Sequence, residues 1–326
     1  MSFQAGVRTR LLIISDTHSA LPDPIGQPSC PFSQPFPRAD VAIHAGDLTM
    51  TGKLSEHKRT VALLKSLPAP LKIVIPGNHD LTLDRAYCSE RPRLYEWDHD
   101  HTEEELTEAI SLYTNDEAIE AGIVYLVEGT RSFTLANGAQ MTVYVSAYTP
   151  EFYDWAFPYP RDLDRFNNSE SATPSNPVPS FDSDSDPGPS DVYTGKAVNL
   201  MITHGPPKGV LDKTATGQDV GCEHLMRAVQ RCKPLLHCFG HIHEGSGSKR
   251  MMWSTAHDFV LAAESNTMMQ NYDLLSEQQR MFVGYIDATN IRHGAETVFV
   301  NASIMNLQYE PVQKPWTVDL KLPKAP

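Results

Sequence analysis

Three short apolar runs, each ending in a polar cluster, recur at a fixed interval in the first eighty residues, and that interval constrains the fold more than any other feature. Leu11-Leu12-Ile13-Ile14-Ser15 runs into Asp16 and His18, and Val41-Ala42-Ile43-His44-Ala45 runs into Asp47. Lys72-Ile73-Val74-Ile75-Pro76 runs into Asn78-His79-Asp80. Asp16, Asp47 and Asn78 follow one another at steps of 31 positions, and about 30 residues is the length of one β-α-β unit. Continuous apolar runs of this length read as parallel strands covered on both faces. Between the second and third runs, Leu54 to Leu67 carries Val61, Leu64 and Leu67 at helical spacing and stops before Pro68. The class is therefore α/β. Equal spacing places the three polar clusters at one edge of the sheet, beyond the strand C-termini, where α/β proteins bind ligands.

The rhythm continues downstream. Residues 103–120 read as one helix with an acidic first turn, which the helix dipole favours. Arg131 to Leu135 and Met141 to Ser146 flank Asn137-Gly138, a hairpin signal. Further strands are expected at Asn199 to Thr203, Leu235 to Phe239 and Thr297 to Asn301, and a helix over Glu223 to Arg231. His204 then ends a fourth strand, and His241 with His243 follows a fifth. Residues 1–326 read as a single domain. Within it, 167–191 is rich in Ser, Pro, Asp and Asn and reads as a flexible surface insertion. The block 249–294, with Met251, Met252, Trp253, Met268 and Met269, reads equally as a capping insertion or as ordinary core.

Charge and composition exclude several functions. Lys and Arg total 27 against 40 Asp and Glu, a net charge of −13 with no basic stripe, so bulk nucleic acid and anionic membranes are not expected partners. No run approaches the ~18–20 apolar residues of a bilayer span. The N-terminal apolar run ends before Asp16, too short for a secretory signal. Five cysteines, with no CxxC pair, read as free thiols in a reducing compartment. A cytoplasmic location is the expectation.

The strand-end clusters together supply two carboxylates (Asp16, Asp47), one amide (Asn78) and four imidazoles (His18, His204, His241, His243), without a thiolate. Such an oxygen and nitrogen set suits Mn, Fe, Zn or Ni rather than a cysteine-rich structural zinc. Seven side chains exceed the needs of one ion and suffice for two ions sharing a carboxylate, the arrangement used for phosphoryl hydrolysis. Taken singly, each has a plainer explanation. An Asp after a strand often caps a helix, and glycines such as Gly46, Gly77 and Gly240 serve turns. His44 and His237, on the strands themselves, read as core histidines. Five clusters all falling at strand ends argue against coincidence.

These residues resemble the five motifs of the calcineurin-like metallophosphoesterases: Asp16-Thr17-His18, Gly46-Asp47, Gly77-Asn78-His79-Asp80, Thr203-His204 and Gly240-His241-Ile242-His243. The stretches HAGDLTMTG, LKIVIPGNHD, THGPPKG, FGHIHEG, FVNAS and PWTVDL are similar to the metallophosphoesterase-domain (MPPED) group of animals. The resemblance implies a four-layer α-β-β-α sandwich around two metal ions, Mn foremost. One would be held by Asp16, His18, Asp47 and His243, the other by Asp47, Asn78, His204 and His241. It further implies that His79 faces the substrate and that Asp80 orients the His79 ring. Leu48-Thr49-Met50 follows Asp47 where protein Ser/Thr phosphatases carry an Arg and purple acid phosphatases a Tyr ligand, which disfavours both subclasses.

The expected function is hydrolysis of a small phosphodiester or phosphomonoester, cyclic nucleotides among them, by a water activated between the two ions, with no phospho-enzyme. Two alternatives stand beside it. One is a nucleotide-binding regulatory protein with weak catalysis. The other is a dinuclear metal hydrolase acting on a non-phosphate substrate. Trp155, Tyr153 and Phe157 either line the pocket and stack a base or pack in the core, with packing favoured.

Overall fold

The computed structural model describes residues 6–25, 28–90, 101–168, 174–181, 197–253 and 283–326. In chain order its elements are β1 (Val7–Ile14), β2 (Val41–Ala45), α1 (Leu54–Ser66), β3 (Leu71–Ile75), α2 (Arg85–Glu90), α3 (Glu103–Thr114) and α4 (Asp116–Glu120). Then come β4 (Ile123–Tyr125), β5 (Glu128–Thr134), β6 (Gln140–Ser146), β7 (Thr149–Pro150), β8 (Pro158–Tyr159) and β9 (Leu200–Thr203). The remainder is α5 (Glu223–Cys232), β10 (Leu236–Phe239), β11 (Gly247–Met252), β12 (Gly284–Ala288), β13 (Glu296–Asn301) and β14 (Trp316–Leu322).

Alternation along the strands builds the layers. Leu11 and Ile13 of β1, Val41 and Ile43 of β2, and Ile73 and Ile75 of β3 point inward. They meet Val143 and Val145 of β6, Leu200 and Ile202 of β9, and Val298 and Val300 of β13 in one core between two sheets. The intervening Leu12, Ile14 and Ala42 face the other way, against Val61 and Leu64 of α1 and Ala109 and Tyr113 of α3. On the far side Tyr144, Met201, Phe239 and Phe299 pack against Leu225, Ala228 and Val229 of α5. Helix, sheet, sheet, helix is the four-layer order that the family resemblance implies. Strands covered on both faces explain why the runs are continuous rather than alternating.

The first sheet runs β12-β14-β1-β2-β3-β4, parallel from β1 to β4, with β14 antiparallel to β1. The second runs β11-β13-β10-β9-β6-β5, with its inner four strands parallel and its two edge strands antiparallel. The five motif-bearing strands are thus divided: β1, β2 and β3 lie in one sheet, and β9 and β10 in the other.

The helix expected over 103–120 is two helices. Asn115 ends α3 and caps α4, its side chain accepting from the Ala118 amide at 2.9 Å. A short polar side chain that bonds the backbone ahead of it competes with helix continuation. The other expected elements form within a few residues of their predicted limits. In the 167–191 block, Val178 is buried and its amide donates to the Phe166 carbonyl, while the Phe181 amide donates to the Arg231 carbonyl. Residues 169–173 and 182–191 lie outside the described residues. The ends of the 249–294 block enter the sheets as β11 and β12, and 254–282, with Met268 and Met269, lies outside the described residues. No helix among the described residues is long and apolar enough to cross a membrane.

Candidate metal centre

The loops that follow β1, β2, β3, β9 and β10 meet between the two sheets. Asp16, His18, Asp47 and His241 all adopt left-handed backbone, with φ between 44° and 67°, a conformation that costs a non-glycine residue free energy and clusters at functional sites. Backbone hydrogen bonds hold it: the Asp16 amide donates to the Gly46 carbonyl at 2.9 Å, and the His18 amide to the Asp47 carbonyl at 3.0 Å. The motif glycines do more than turn the chain. A β-carbon on Gly46, at φ +102°, would collide with the His204 ring, and one on Gly240 would collide with Asp16 Oδ2 and Ser15.

All seven ligand candidates come together. Asp16, His18, Asp47 and His243 offer ligand atoms within 4.8 Å of one another, and so do Asp47, His204 and His241. Asp47 belongs to both groups. Asn78 joins the second: its Oδ1 lies 2.9 Å from His204 Nε2 and 2.7 Å from His241 Nδ1. Three rings are oriented by backbone carbonyls at 3.0 Å: His18 Nδ1 by Thr49, His204 Nδ1 by Ala45 and His243 Nδ1 by Asn306. A ring that donates Nδ1–H to a carbonyl presents its Nε2 lone pair to a cation. His241 is reversed and turns Nδ1 inward.

The electrostatics call for a cation. Burial opposes ionisation of Asp16, but His243 and His204 hold its carboxyl down at about 2. Asp47 is held well below the usual carboxylate range by His204 and His79, again against its burial. With burial opposing, the Asp47 and Asp16 charges and the Ala45 carbonyl lift His204 to about 9. Burial pushes His18 down to about 4 and His241 down to about 3. The His204 proton is thus the protein's own counter-charge, and a divalent ion would displace it. Asp16 Oδ2 points the same way: it is buried and has no hydrogen-bond partner among the described residues, whereas Oδ1 accepts from the His241 amide at 2.8 Å. A buried carboxylate oxygen left unpaired in a pocket of imidazoles fits an ion.

Two substrate-side assignments fare differently. His79 stands beside this cluster, its Nδ1 donating to the Met50 carbonyl at 2.8 Å and its amide donating to Asp47 Oδ1 at 2.9 Å. Asp80 does not orient that ring. Its carboxylate accepts from the amides of Gly77 (2.7 Å), Leu48 (3.1 Å) and Thr49 (2.8 Å) and from the Thr49 hydroxyl (2.7 Å), tying the Asp47 loop to the Asn78 loop. The reason is reach: the tight turn after Asn78 aims Asp80 back under the loops, away from the imidazole beside it in sequence. Burial and the Asp47 charge push its carboxyl up to about 7, against the pull of those hydrogen bonds.

A cavity of about 650 Å³ opens from Asp47, Asn78, His79 and His241 onto Tyr148, Tyr153, Trp155 and Tyr159. Of the three aromatics in doubt, Trp155 stacks on His79 with ring centroids 4.0 Å apart, Tyr153 is exposed on the cavity wall, and Phe157 is core. His44 and His237 are buried on their strands, as expected, but each has a task. His44 Nε2 pairs with Thr17 Oγ1 at 2.8 Å and His237 Nε2 with Thr203 Oγ1 at 2.9 Å, bracing the residues next to Asp16 and His204.

Sequence reading missed Asn306 and Tyr309, in the loop after β13. The Asn306 carbonyl orients His243, and the Tyr309 ring packs edge-on against His18 at 4.9 Å. It also left Asn301 without a role. The Asn301 amide nitrogen donates to the Ile242 carbonyl at 2.8 Å and to the Leu211 carbonyl at 3.1 Å, fixing the GHIH loop. The stretch FVNAS was the available signal for Asn301; nothing in the sequence marks Tyr309.

Comparison with known proteins agrees with this geometry. A family model described as calcineurin-like phosphoesterase matches residues 9–245. The chain is 32% identical over 321 residues to metallophosphoesterase domain-containing protein 1 of Homo sapiens, covering 97% of this chain and 72% of that protein. The Mus musculus protein of the same name matches with the same figures. The chain is also 31% identical over 261 residues to a probable rhamnogalacturonate lyase C of Emericella nidulans, covering 78% of this chain and 19% of that protein. Motifs that converge on one Asp/His cluster, a family model over most of the chain and relatives whose match spans nearly all of this chain lead to one conclusion: the chain belongs to the calcineurin-like phosphoesterase family, in the metallophosphoesterase domain-containing group.

Proposed function

We infer that the protein is a dinuclear metal-dependent phosphoesterase that hydrolyses a small phosphodiester or phosphomonoester. The observation that carries this is Asp47, whose carboxylate is shared by two groups of buried ligands, one with Asp16, His18 and His243 and one with His204 and His241. Two divalent ions there, Mn first and Fe, Zn or Ni by the same donor chemistry, would neutralise phosphoryl charge and make water nucleophilic near neutral pH.

The chain's own groups do the rest. The Thr49, Ala45 and Asn306 carbonyls hold three imidazoles in register. His79, with Nδ1 tied to Met50, keeps Nε2 for the ester oxygen, where it gives or holds a proton, a contribution of about 10²–10⁴-fold. Trp155 covers one face of that ring and keeps water from it. The cavity exceeds a phosphate, and its aromatic walls suit an alcohol part with a flat face, so nucleotides, cyclic ones included, are the substrates to test first. A small phosphorylated molecule in the cytoplasm, rather than nucleic acid or a membrane, fits the net charge of −13 and the five free thiols.

The test is hydrolysis of bis-p-nitrophenyl phosphate by chelator-stripped protein after Mn²⁺ is restored. Turnover should return with the metal and fall at least about tenfold in His79→Ala while metal content holds. Asp47→Ala should lose metal and turnover together. Metal-loaded protein with no turnover on mono- or diesters would refute the phosphoesterase reading and favour nucleotide sensing or non-phosphate chemistry.

A further inference from the structure

We propose that Tyr309 is a catalytic residue of this site, its hydroxyl donating a hydrogen bond to a non-bridging oxygen of the phosphoryl group held beside Asp16, His18 and His243; this rests on the phosphoesterase reading above. The ring of Tyr309 stands edge-on to three imidazoles of the centre: His18 at 4.9 Å, His243 at 5.6 Å and His79 at 5.9 Å between centroids. It lines the same cavity as Asp47 and His79 and is 41% exposed. Asp47 and Asp16 are close enough for their charges to act on the phenol. Its hydroxyl makes no hydrogen bond among the described residues. The ring stands against three imidazoles of the centre on the wall of the cavity, and a phosphoryl oxygen held there would give its hydroxyl an acceptor.

The backbone shows how firmly the ring is aimed. Tyr309 sits at φ +57°, a conformation rare for a bulky aromatic and sustained only when the surroundings enforce it. Asn306 enforces it. The Asn306 carbonyl accepts from the Tyr309 amide at 3.0 Å, and Asn306 Oδ1 accepts from the amides of Gln308 and Glu310, each at 2.9 Å. Asn306 Nδ2 donates to Glu310 Oε2 at 2.8 Å. The same Asn306 carbonyl orients His243 at 3.0 Å. One residue therefore sets the position of the phenol and of a ligand imidazole together, which keeps the hydroxyl in register with the centre.

The test compares wild type with Tyr309→Phe, which keeps the ring and removes the hydroxyl. Three quantities are read for each: Mn²⁺ stoichiometry, affinity of the Mn-loaded protein for inorganic phosphate by calorimetry, and turnover of bis-p-nitrophenyl phosphate. The expected result is unchanged Mn²⁺ content, phosphate binding weakened at least about fivefold, and kcat/KM lowered ~10–100-fold, the range for one hydrogen bond to a charged group. Phosphate affinity and turnover both within threefold of wild type would overturn the assignment. Loss of Mn²⁺ in Tyr309→Phe would overturn it too, because the hydroxyl would then serve the ligands. Should wild type bind phosphate without turning over the diester, the phosphoesterase reading fails, while the phosphate titration of the variant still decides for or against Tyr309. Wild type that neither binds phosphate nor hydrolyses the diester overturns both.

Discussion

His57 offers a measurement of burial that owes nothing to metal. It lies on α1, fully buried, with Nδ1 2.8 Å from the Tyr113 hydroxyl and Nε2 2.8 Å from Thr82 Oγ1. Burial pushes its imidazole down to about 3, against about 6.5 in the unfolded chain. Above pH 6.5 the ring is neutral in both states and its protonation has no effect on stability. As the pH falls below 6.5, the unfolded chain takes up the proton and the native one does not, so stability drains by about 1.4 kcal/mol per pH unit until the folded value near 3 is reached. Between pH 7.5 and pH 5.0 the loss from this residue is about 2 kcal/mol. His57→Gln keeps a polar side chain but cannot titrate. The assay is urea unfolding of both proteins in chelator at the two pH values, since all other titrations cancel in the difference. The variant should start less stable at pH 7.5, and its deficit should shrink by about 2 kcal/mol at pH 5.0. A deficit independent of pH would show that the native ring accepts a proton in place, and the account of a neutral His57 would fall.

Two further substitutions probe the loops of the centre. Gly240→Ala would set a methyl group against Asp16 Oδ2 and Ser15; Mn²⁺ titration should show at least a tenfold loss of affinity with the far-UV circular dichroism unchanged, and normal affinity would deny the close approach its importance. Asp80→Asn exchanges one acceptor oxygen for a donor facing amides of Gly77, Leu48 and Thr49, so urea unfolding should report about 2–4 kcal/mol of lost stability. If instead turnover fell with stability intact, Asp80 would be acting on His79 after all.

The α/β class and the strand-end ligand candidates were legible because each rested on a repeated physical signal, whereas the four-layer order came from the family resemblance. A buried strand needs an unbroken apolar run, and the residue that leaves it at the sheet edge is polar; Ile14 to Asp16, Ala45 to Asp47 and Ile75 to Asn78 repeat that transition. Membership of a sheet has no such signal. β9 and β10 read like β1 and β2, and only tertiary packing assigns them to the second sheet. Asp80 was misjudged because adjacency in sequence says nothing of direction after a tight turn. The carbonyls of Thr49, Ala45, Met50 and Asn306 that orient the imidazoles belong to backbone, so no residue type announces them. Tyr309 stayed hidden because it lies in an irregular loop, where neither helical nor strand periodicity gives its side chain a direction.

The division of the motif strands between two sheets also fixes the order in which the ligand candidates leave the ribosome. The first half of the chain carries Asp16, His18, Asp47 and Asn78, all from one sheet, and neither ligand group is complete with these alone. An ion meeting the nascent chain would find only part of a coordination shell until His204, His241 and His243 have emerged and the second sheet has closed over the first. Complete occupancy of either group would therefore wait for the finished domain. A ribosome-bound or truncated product ending before β10 would lack His241 and His243, one ligand candidate from each group.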